Sequence, residues 1–313
     1  MHLDPSPLPK TTISYSMTPL EFGSAHEVVE ILSSWLRSAS AATRNLRIAE
    51  VSAEILTTKF ATVRTACEGA DFVIHLAART SVPRSVKDPI ETNQVNIDGT
   101  LNVLIAARDA RVRRLVYAAS SAAYGETPTL PKVESMPAAP ISPYGITKYV
   151  GELYAQVFGR IYGLENACVR YFNVFGPRQD PTSEYSGVLS RFMFAVLKGK
   201  SPVVYGDGEQ SRDFTYIDNV VDATLRACES KDASGKVFNG GTGTRTTLNQ
   251  VLADLEKIVG YRIPAQYAAS RDGDIRDSQA DISLARTVLG YEPKVHFAEG
   301  LERTWIWYKG NYC

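Results

Sequence analysis

The sequence predicts an α/β fold, a doubly wound parallel sheet with a smaller C-terminal lobe. From residue 71 onwards, short apolar runs that suit buried parallel strands alternate with helical patterns. A chain of 313 residues is long for one compact core, which favours an elaborated sheet or two lobes that share a cleft. No internal repeat in the sequence competes with this architecture.

The predicted elements follow one another in regular order. Strands are expected over residues 71–77, 112–120, 166–172, 214–217 and 236–239. Helices are expected over residues 89–110, 143–162, 189–199, 218–229, 247–260, 281–289 and 298–308. Asp218 is the predicted N-cap of its helix. Sheets of this kind bind ligands beyond the carboxyl ends of their strands, so the residues that follow strands are the candidates for a site.

The composition restricts the class of function. Lys plus Arg equals Asp plus Glu at 34 each, so neither nucleic acid nor a membrane surface is an expected partner. The cysteines are widely spaced without a CxxC pattern, which predicts reduced structural thiols and no metal site; they are Cys67, Cys168, Cys228 and Cys313. The sequence has no apolar run of the roughly 20 residues that span a bilayer, and a cytoplasmic protein is expected.

Three residues form a candidate acid/base set. Ser120 ends a predicted strand, and Tyr144 and Lys148 leave one face at the start of a later helix. A phenol with a reference pKa of about 10 is a poor base at neutral pH, and a neighbouring ammonium is expected to lower that pKa. The serine hydroxyl can orient the same substrate oxygen. The start of any amphipathic helix is the alternative interpretation of Tyr144 and Lys148.

A series of segments around these residues resembles the extended short-chain dehydrogenase/reductase superfamily. Within it, the chain is most similar to the NAD-dependent epimerase/dehydratase family and its UDP-N-acetylglucosamine 4-epimerase branch, which is UDP-galactose 4-epimerase-like. The segments are His75-Leu-Ala-Ala78, Ser81-Val-Pro-Arg-Ser85, Ser120-Ser-Ala-Ala-Tyr-Gly125, Ser142-Pro-Tyr-Gly-Ile-Thr-Lys148, Arg170-Tyr-Phe-Asn-Val-Phe-Gly176, Gly206-Asp-Gly208 with Ser211-Arg-Asp-Phe214, and Arg271-Asp-Gly-Asp-Ile-Arg-Asp-Ser-Gln-Ala-Asp281.

The resemblance implies a Rossmann-like fold and NAD-dependent inversion at C4 of a UDP-hexose. Tyr144 would take the proton of the 4-hydroxyl, bridged by Ser120, while hydride passes to NAD. The 4-keto sugar would then rotate about its diphosphate and receive the hydride on its other face. Lys148 would tune Tyr144 and hold the nicotinamide ribose. Related dehydratases carry acidic side chains just after the serine, where this chain has Ser121 and two alanines, which disfavours elimination.

The resemblance also implies the residues that line the site. NAD is expected along Leu76, Ala77, Ala78, Arg79, Asn96, Tyr144, Lys148 and Tyr171. The UDP-sugar is expected to contact Ser81, Ser121, Asn173, Val188, Tyr205, Arg212, Arg271, Asp274 and Ser278. The two arginines would clamp the diphosphate. The small Ser278 leaves room for an N-acetyl group, which predicts UDP-N-acetylglucosamine and UDP-N-acetylgalactosamine as substrates, with UDP-glucose and UDP-galactose as further candidates.

Some of these residues have ordinary structural interpretations as well. Solvated surface charges are the alternative for the two arginines, a turn cap for Asn173, core packing for Tyr205 and Val188, and a satisfied core histidine for His75. The resemblance divides the chain into an atypical segment, a dinucleotide-binding domain and a substrate-binding domain. These comprise residues 1–60, residues 61–172 plus about 214–240, and residues about 173–213 plus 241–313 respectively.

The N-terminal segment departs from the family pattern, so the first βαβ unit is predicted to be degenerate. A dinucleotide site needs glycines that let the backbone approach the pyrophosphate, but only Gly23 precedes Gly69. Divergence with weakened NAD binding is one hypothesis. A shifted reading frame is the other, because codons for residues 35–39 exist that read Gly-Tyr-Glu-Val one base later. Divergence leaves a catalytically impaired homologue that binds nucleotide sugar as an alternative function.

The quaternary structure is also predicted from the resemblance. The helix that begins near Tyr144 and the helix predicted over residues 89–110 resemble the pair that forms a four-helix dimer interface in this superfamily. A homodimer is therefore expected.

Overall fold

The computed structural model describes residues 48–51, 57–179, 181, 187–270 and 275–312. Within these ranges lie eleven strands and nine α-helices. The strands are β1 (Ile48–Val51), β2 (Phe72–His75), β3 (Arg114–Ser120), β4 (Asn166–Tyr171), β5 (Val174–Phe175), β6 (Val203–Tyr205), β7 (Ser211–Arg212), β8 (Thr215–Tyr216), β9 (Lys236–Gly240), β10 (Thr246–Thr247) and β11 (Gln266–Ala268). The helices are α1 (Phe60–Cys67), α2 (Val82–Lys87), α3 (Pro89–Asn93), α4 (Gly99–Asp109), α5 (Pro143–Tyr162), α6 (Val188–Leu197), α7 (Ile217–Glu229), α8 (Leu248–Val259) and α9 (Phe297–Tyr312).

A five-stranded parallel sheet with the order β1-β2-β3-β4-β9 forms the centre of the fold. Strand β3 is buried along its whole length and alternates between two apolar layers. Leu115 and Tyr117 pack with residues of α1, α4 and α5, whereas Val116 and Ala118 pack with residues of α7. Burial on both faces explains why the strands read as continuous apolar runs. The predicted α/β fold with a parallel sheet is confirmed.

The smaller lobe contains short strand pairs and three helices. Its pairs are β5 with β8, β6 with β11, and β7 with β10. Apolar residues of α6, α8 and α9 belong to the same buried cluster as the α7 side of the central sheet. Strands of two or three residues carry too little alternation to be recognised in a sequence, and β5, β6, β7, β10 and β11 were not predicted.

Most predicted elements agree with the structure to within a few residues. Helix α5 has the predicted bounds because the Ser142 hydroxyl accepts a hydrogen bond from Gly145 N (3.1 Å) and Gly163 ends the helix at φ +70°. The prediction that Asp218 caps α7 is wrong, because the N-cap is Tyr216. Asp218 lies in the first turn instead and pairs with Arg303 across 3.2 Å.

Several other predictions concern the chemical class of the protein. The structure describes Cys67, Cys168 and Cys228, which are buried free thiols. In the same ranges, no helix combines the length and apolar character that crossing a bilayer requires, and no group of three or more acidic, His or Cys side chains could hold a metal ion. Residues 1–47, Arg271, Asp274 and Cys313 lie outside the described residues.

Candidate active site

The carboxyl end of β3 and the start of α5 bring Ser120 and Tyr144 together. The Ser120 side chain interacts with the Tyr144 phenol and favours its ionised form. The start of α5 is held from outside as well, because Tyr144 N donates to the Ser85 hydroxyl of α2 (3.1 Å). The Ser120 hydroxyl also accepts from Ala122 N at 3.2 Å. Backbone contacts on both sides therefore position the hydroxyl pair at the edge of the sheet where ligands bind in such folds.

The electrostatics of this pair differ from the sequence-based expectation. Burial raises the pKa of Tyr144, and the hydrogen bond from Ser120 opposes that rise only in part. Lys148 is buried one turn later with its ammonium 4.6 Å from the centre of the Tyr117 ring. Burial lowers the pKa of Lys148 to about 8, against the attraction of Glu152. The expected lowering of the Tyr144 pKa by Lys148 is thus corrected, because desolvation of the phenolate outweighs the opposing effect of Ser120.

The segment after β2 is tied to α5 through the side chain of Asn96. Its amide oxygen accepts from Arg79 N (2.7 Å), and its amide nitrogen donates to Arg79 O (3.2 Å) and Thr147 Oγ1 (2.9 Å). Residues 76–78 are buried, and the Arg79 guanidinium pairs with Glu91. Asn96 is therefore occupied in fixing the strand end against the residue that precedes Lys148.

His75, at the end of β2, is a core residue. It is fully buried, its Nε2 lies 2.9 Å from Thr100 Oγ1, and its ring packs against Tyr117 with centroids 5.6 Å apart. Burial, followed by the charge of Lys148, lowers the pKa of His75 to about 3. The imidazole is consequently neutral at physiological pH, which agrees with the structural interpretation of this residue.

Three other predicted site residues make structural contacts. The Tyr171 hydroxyl bonds Thr224 of α7 at 2.7 Å, on the face of the sheet opposite α5. Burial raises the pKa of Tyr171. The structure therefore does not bring this hydroxyl next to Tyr144. The Ser81 hydroxyl caps α2 by accepting from Arg84 N (3.1 Å), and Ser121 begins a short 3-10 turn.

Four of the predicted substrate-contacting residues line one cavity of about 540 Å³ in the smaller lobe; they are Asn173, Val188, Tyr205 and Arg212. This volume lies within the range of small-molecule sites. Four cationic side chains line it, namely Arg191, Lys198, Lys200 and Arg212. Among the residues that the structure describes, no Asp or Glu lines the cavity. The cavity is therefore suited to an anionic ligand.

Sequence reasoning missed Arg191, Lys198 and Lys200. The sequence could have indicated two of them, because Arg191 and Lys198 are seven residues apart. In a helix this spacing is about two turns and places both side chains on the same face. Lys198 is held in place by donating to Tyr312 O of α9 at 2.7 Å. The cavity wall thus depends on the C-terminal helix as well as on α6.

Asn173 and Ser278 meet although they are far apart in the chain. The Asn173 amide donates to the Ser278 hydroxyl (3.1 Å) and to Asp213 O (3.3 Å). Asn173 has φ +30°, a conformation that Asn tolerates better than most residues. Ser278 itself is 9% exposed. Asn173 lines the cavity, so this hydrogen bond connects Ser278 to its wall.

Comparisons with known proteins identify the family of this chain. UDP-glucose 4-epimerase of Mycolicibacterium smegmatis is 40% identical over 235 residues, which cover 75% of this chain and 74% of that protein. The structure of UDP-N-acetylglucosamine 4-epimerase from Methanobrevibacter ruminantium M1, in complex with UDP-N-acetylmuramic acid, superposes with a TM-score of 0.79. The identity is 38%, over 86% of this chain and 84% of that one.

A third relative is UDP-glucuronic acid 4-epimerase from Bacillus cereus, in complex with UDP-glucuronic acid and NAD. Its TM-score is 0.75 and its identity 33%, over 80% of this chain and 79% of that one. The model of the family described as "NAD dependent epimerase/dehydratase family" matches residues 24–241, so the match extends into the predicted atypical segment. The chain belongs to the NAD-dependent epimerase/dehydratase family.

Proposed function

We propose that this protein inverts C4 of UDP-hexoses, with UDP-N-acetylglucosamine and UDP-N-acetylgalactosamine as the main pair. The observation that carries the proposal is that Ser120 at the end of β3 interacts with Tyr144 at the start of α5, with the buried Lys148 one turn later on the same helix. A hydroxyl pair at the carboxyl end of a strand can bind a sugar hydroxyl and exchange its proton. UDP-glucose and UDP-galactose are the second pair of candidate substrates.

The chain's own residues supply the proton transfers. Tyr144 accepts the proton of the sugar 4-hydroxyl and returns it when the 4-keto form is reduced, while Ser120 orients the sugar oxygen by hydrogen bonding. The raised pKa of Tyr144 means that the phenol holds its proton before substrate arrives. Because the phenolate is the form that removes a proton, we expect turnover to rise with pH across the neutral range.

The residues around Lys148 fit one end of NAD. The Tyr144 hydroxyl and the Lys148 ammonium can donate hydrogen bonds to the hydroxyls of a ribose. Ala77 and Ala78 have small buried side chains, which would let the cofactor approach the backbone after β2. When bound, NAD supplies reversible oxidation and reduction at C4. Lys148 would hold the nicotinamide ribose. The loop expected to hold the pyrophosphate falls within residues 1–47, outside the described residues.

The basic cavity supports a UDP group as the anchor of the substrate. Arg212 donates to Ser211 O (3.0 Å) and Arg276 O (2.9 Å), which fixes the guanidinium at the cavity wall. A fixed guanidinium is well suited to two phosphate oxygens. Val188 and Tyr205 are proposed to border the uracil ring, with Arg271 and Asp274 as further contacts. Ser278 is proposed to leave space for the N-acetyl group.

One preparation of the purified protein tests the proposal. We expect NAD to be released on denaturation in near-equimolar amount and UDP-N-acetylglucosamine to be converted to an equilibrium mixture with UDP-N-acetylgalactosamine. Retention of UDP binding without NAD and without turnover would favour the alternative, a catalytically impaired homologue that binds nucleotide sugar. Formation of a 4-keto-6-deoxy product would favour a dehydratase, the other enzyme considered.

A homodimer is proposed as the assembly. Ile90 of α3 and Ile146 and Leu153 of α5 are large apolar side chains on exposed faces of helices that pack together. An Ile90→Glu variant should shift the mass measured by light scattering from dimer to monomer. The matched control is Ile306→Glu, because Ile306 is similarly exposed on α9. A monomeric wild-type protein would refute this assembly.

We also propose the division of the chain into a dinucleotide-binding domain and a substrate-binding domain that the family resemblance implies.

A further inference from the structure

Helix α5 carries three chemically distinct side chains at successive turns. Tyr144, Lys148 and Glu152 are spaced by four residues and therefore lie on one face of the helix. The face packs against β3 and β4, which is why Lys148 is 3% exposed and Glu152 is 1% exposed. A carboxylate and an ammonium so far from water each need a partner.

Glu152 is paired with Arg170 of β4. Arg170 Nε and Nη2 donate to the two carboxylate oxygens at 2.9 and 2.8 Å, a bidentate arrangement. Arg170 is 4% exposed, and its guanidinium lies 4.5 Å from the centre of the Tyr124 ring. The Tyr124 hydroxyl donates in turn to Asn239 Oδ1 of β9 at 2.7 Å. Arg170 is thus packed against the turn that follows β3, which is itself tied to β9, and it fixes Glu152.

The charge of the Glu152 carboxylate therefore acts on two buried cations, Arg170 and Lys148. Burial disfavours the charged form of Lys148, and the attraction of Glu152 is the largest effect in the opposite direction. Arg170 stays charged, because the pKa of its guanidinium is raised further by Glu152. Burial raises the pKa of Glu152, and the hydrogen bonds and charge of Arg170 act against that rise and favour the carboxylate. Removing the carboxylate would leave the buried guanidinium unpaired and would remove the attracting charge from Lys148.

We propose that Glu152 is a positioning residue which keeps Lys148 charged beside Tyr144, and that Arg170 holds Glu152 in place for this task. The consequence for catalysis rests on the proposed function. The charge state itself does not, because it is a property of the folded chain. The titratable groups that interact with Lys148 from the elements packed around it are Glu152 of α5, His75 of β2, Tyr117 of β3 and Cys168 of β4. Tyr144 lies one turn earlier on α5, and Arg170 of β4 joins this group through Glu152.

The experiment titrates Lys148 directly by NMR in the full-length protein. Lysine is labelled with ¹³C at Cε, and the Lys148 resonance is identified as the one missing from a Lys148→Met variant. In the wild type we expect a midpoint near pH 8, well below that of surface lysines. A wild-type midpoint below pH 6.5 would overturn the proposal, because Lys148 would then be neutral at physiological pH.

Two variants test the two roles. Glu152→Gln should lower the Lys148 midpoint by about one pH unit or more, because an attracting charge is lost while the size of the side chain is kept. Arg170→Met should lower the midpoint as well, because Glu152 then loses the hydrogen bonds and the charge that hold it in place and favour its ionised form. An unchanged or raised midpoint in either folded variant contradicts the proposal.

The matched control is the other ion pair of a buried arginine in the central sheet. Arg114 of β3 pairs with Glu165 across 2.7 Å, but it lies at the amino end of its strand, away from Lys148. Glu165→Gln should leave the Lys148 midpoint unchanged. If Glu152→Gln does not fold, Arg170→Met and the wild-type titration still decide the matter. None of these measurements requires turnover, so a failed epimerase assay leaves their interpretation intact.

Discussion

The face of α5 and the cavity of the smaller lobe treat charge in opposite ways. On α5, the carboxylate of Glu152 is hydrogen-bonded to the buried Arg170 of β4 and attracts the buried Lys148, and the groups are packed against strands. In the cavity, four cationic side chains surround a space of about 540 Å³ that no described acidic side chain lines. Balanced buried charge suits a fixed catalytic arrangement, whereas an excess of one sign suits capture of an anion.

This contrast separates two kinds of functional residue. Changes on the α5 face should affect chemistry and protonation with little effect on affinity for UDP. Changes in the cavity should affect affinity first.

Tyr144→Phe should have the largest effect. Loss of the phenol removes the proton carrier, so we expect epimerisation to fall by about 10²–10⁴-fold. The affinity for UDP, measured by calorimetry, should change by less than about twofold, because the cavity is untouched. Tyr149→Phe on the same helix is the control. Full turnover in the Tyr144 variant would show that the α5 face is not the catalytic region.

Arg212→Ala should weaken binding of UDP about tenfold to a hundredfold, since a hydrogen bond to a charged group contributes roughly 1.5–3 kcal/mol. Calorimetry with UDP alone measures this effect without turnover. The control is Arg276→Ala, because the Arg276 side chain pairs with Asp207 at the surface while its backbone carbonyl still accepts from Arg212. Equal loss in both variants would point to a general charge effect.

Ser278→Tyr should reduce turnover of the N-acetylated pair by about tenfold or more while sparing UDP-glucose and UDP-galactose, because a bulky ring fills the proposed N-acetyl space. Initial rates with both substrate pairs give the comparison. Ser283→Tyr, at an exposed position, is the control. If the Ser278 variant keeps its N-acetylated turnover, selection by size at this position is wrong.

His75 provides the smallest expected effect, on stability. The folded chain keeps this imidazole neutral down to about pH 3, whereas the unfolded chain protonates it below about pH 6.5. Its contribution to stability is therefore complete above pH 6.5 and is lost as the pH falls toward 3. Between pH 6.5 and 4.5, His75→Gln should lose about 2 kcal/mol less of its free energy of unfolding than the wild type.

Urea unfolding at the two pH values measures the His75 effect, with the exposed His296→Gln as the control. Other groups titrate in the same pH range in all three proteins. The effect of His75 is therefore the difference in pH dependence between His75→Gln and the wild type. Identical acid sensitivity of the wild type and His75→Gln would mean that the folded protein accepts a proton at His75.

The local patterns of the sequence were sufficient for much of the fold. The start and end of α5 follow from Ser142, Pro143 and Gly163, whose conformational preferences act within one turn of the chain. The strands β2 to β4 follow from apolar runs, because strands of a parallel sheet are buried on both faces. The family itself follows from motifs in a given order, and the comparisons confirm it.

Only the tertiary structure decided which side chains meet and how they are charged. Glu152 meets Arg170, and Asn173 meets Ser278, across 18 and 105 positions of the chain respectively. Tyr171 lies on the α7 face although its neighbour Arg170 lies on the α5 face, because successive side chains of a strand alternate. Burial, which raises the pKa of Tyr144, depends on all the layers packed around it, so spacing alone predicted the opposite direction.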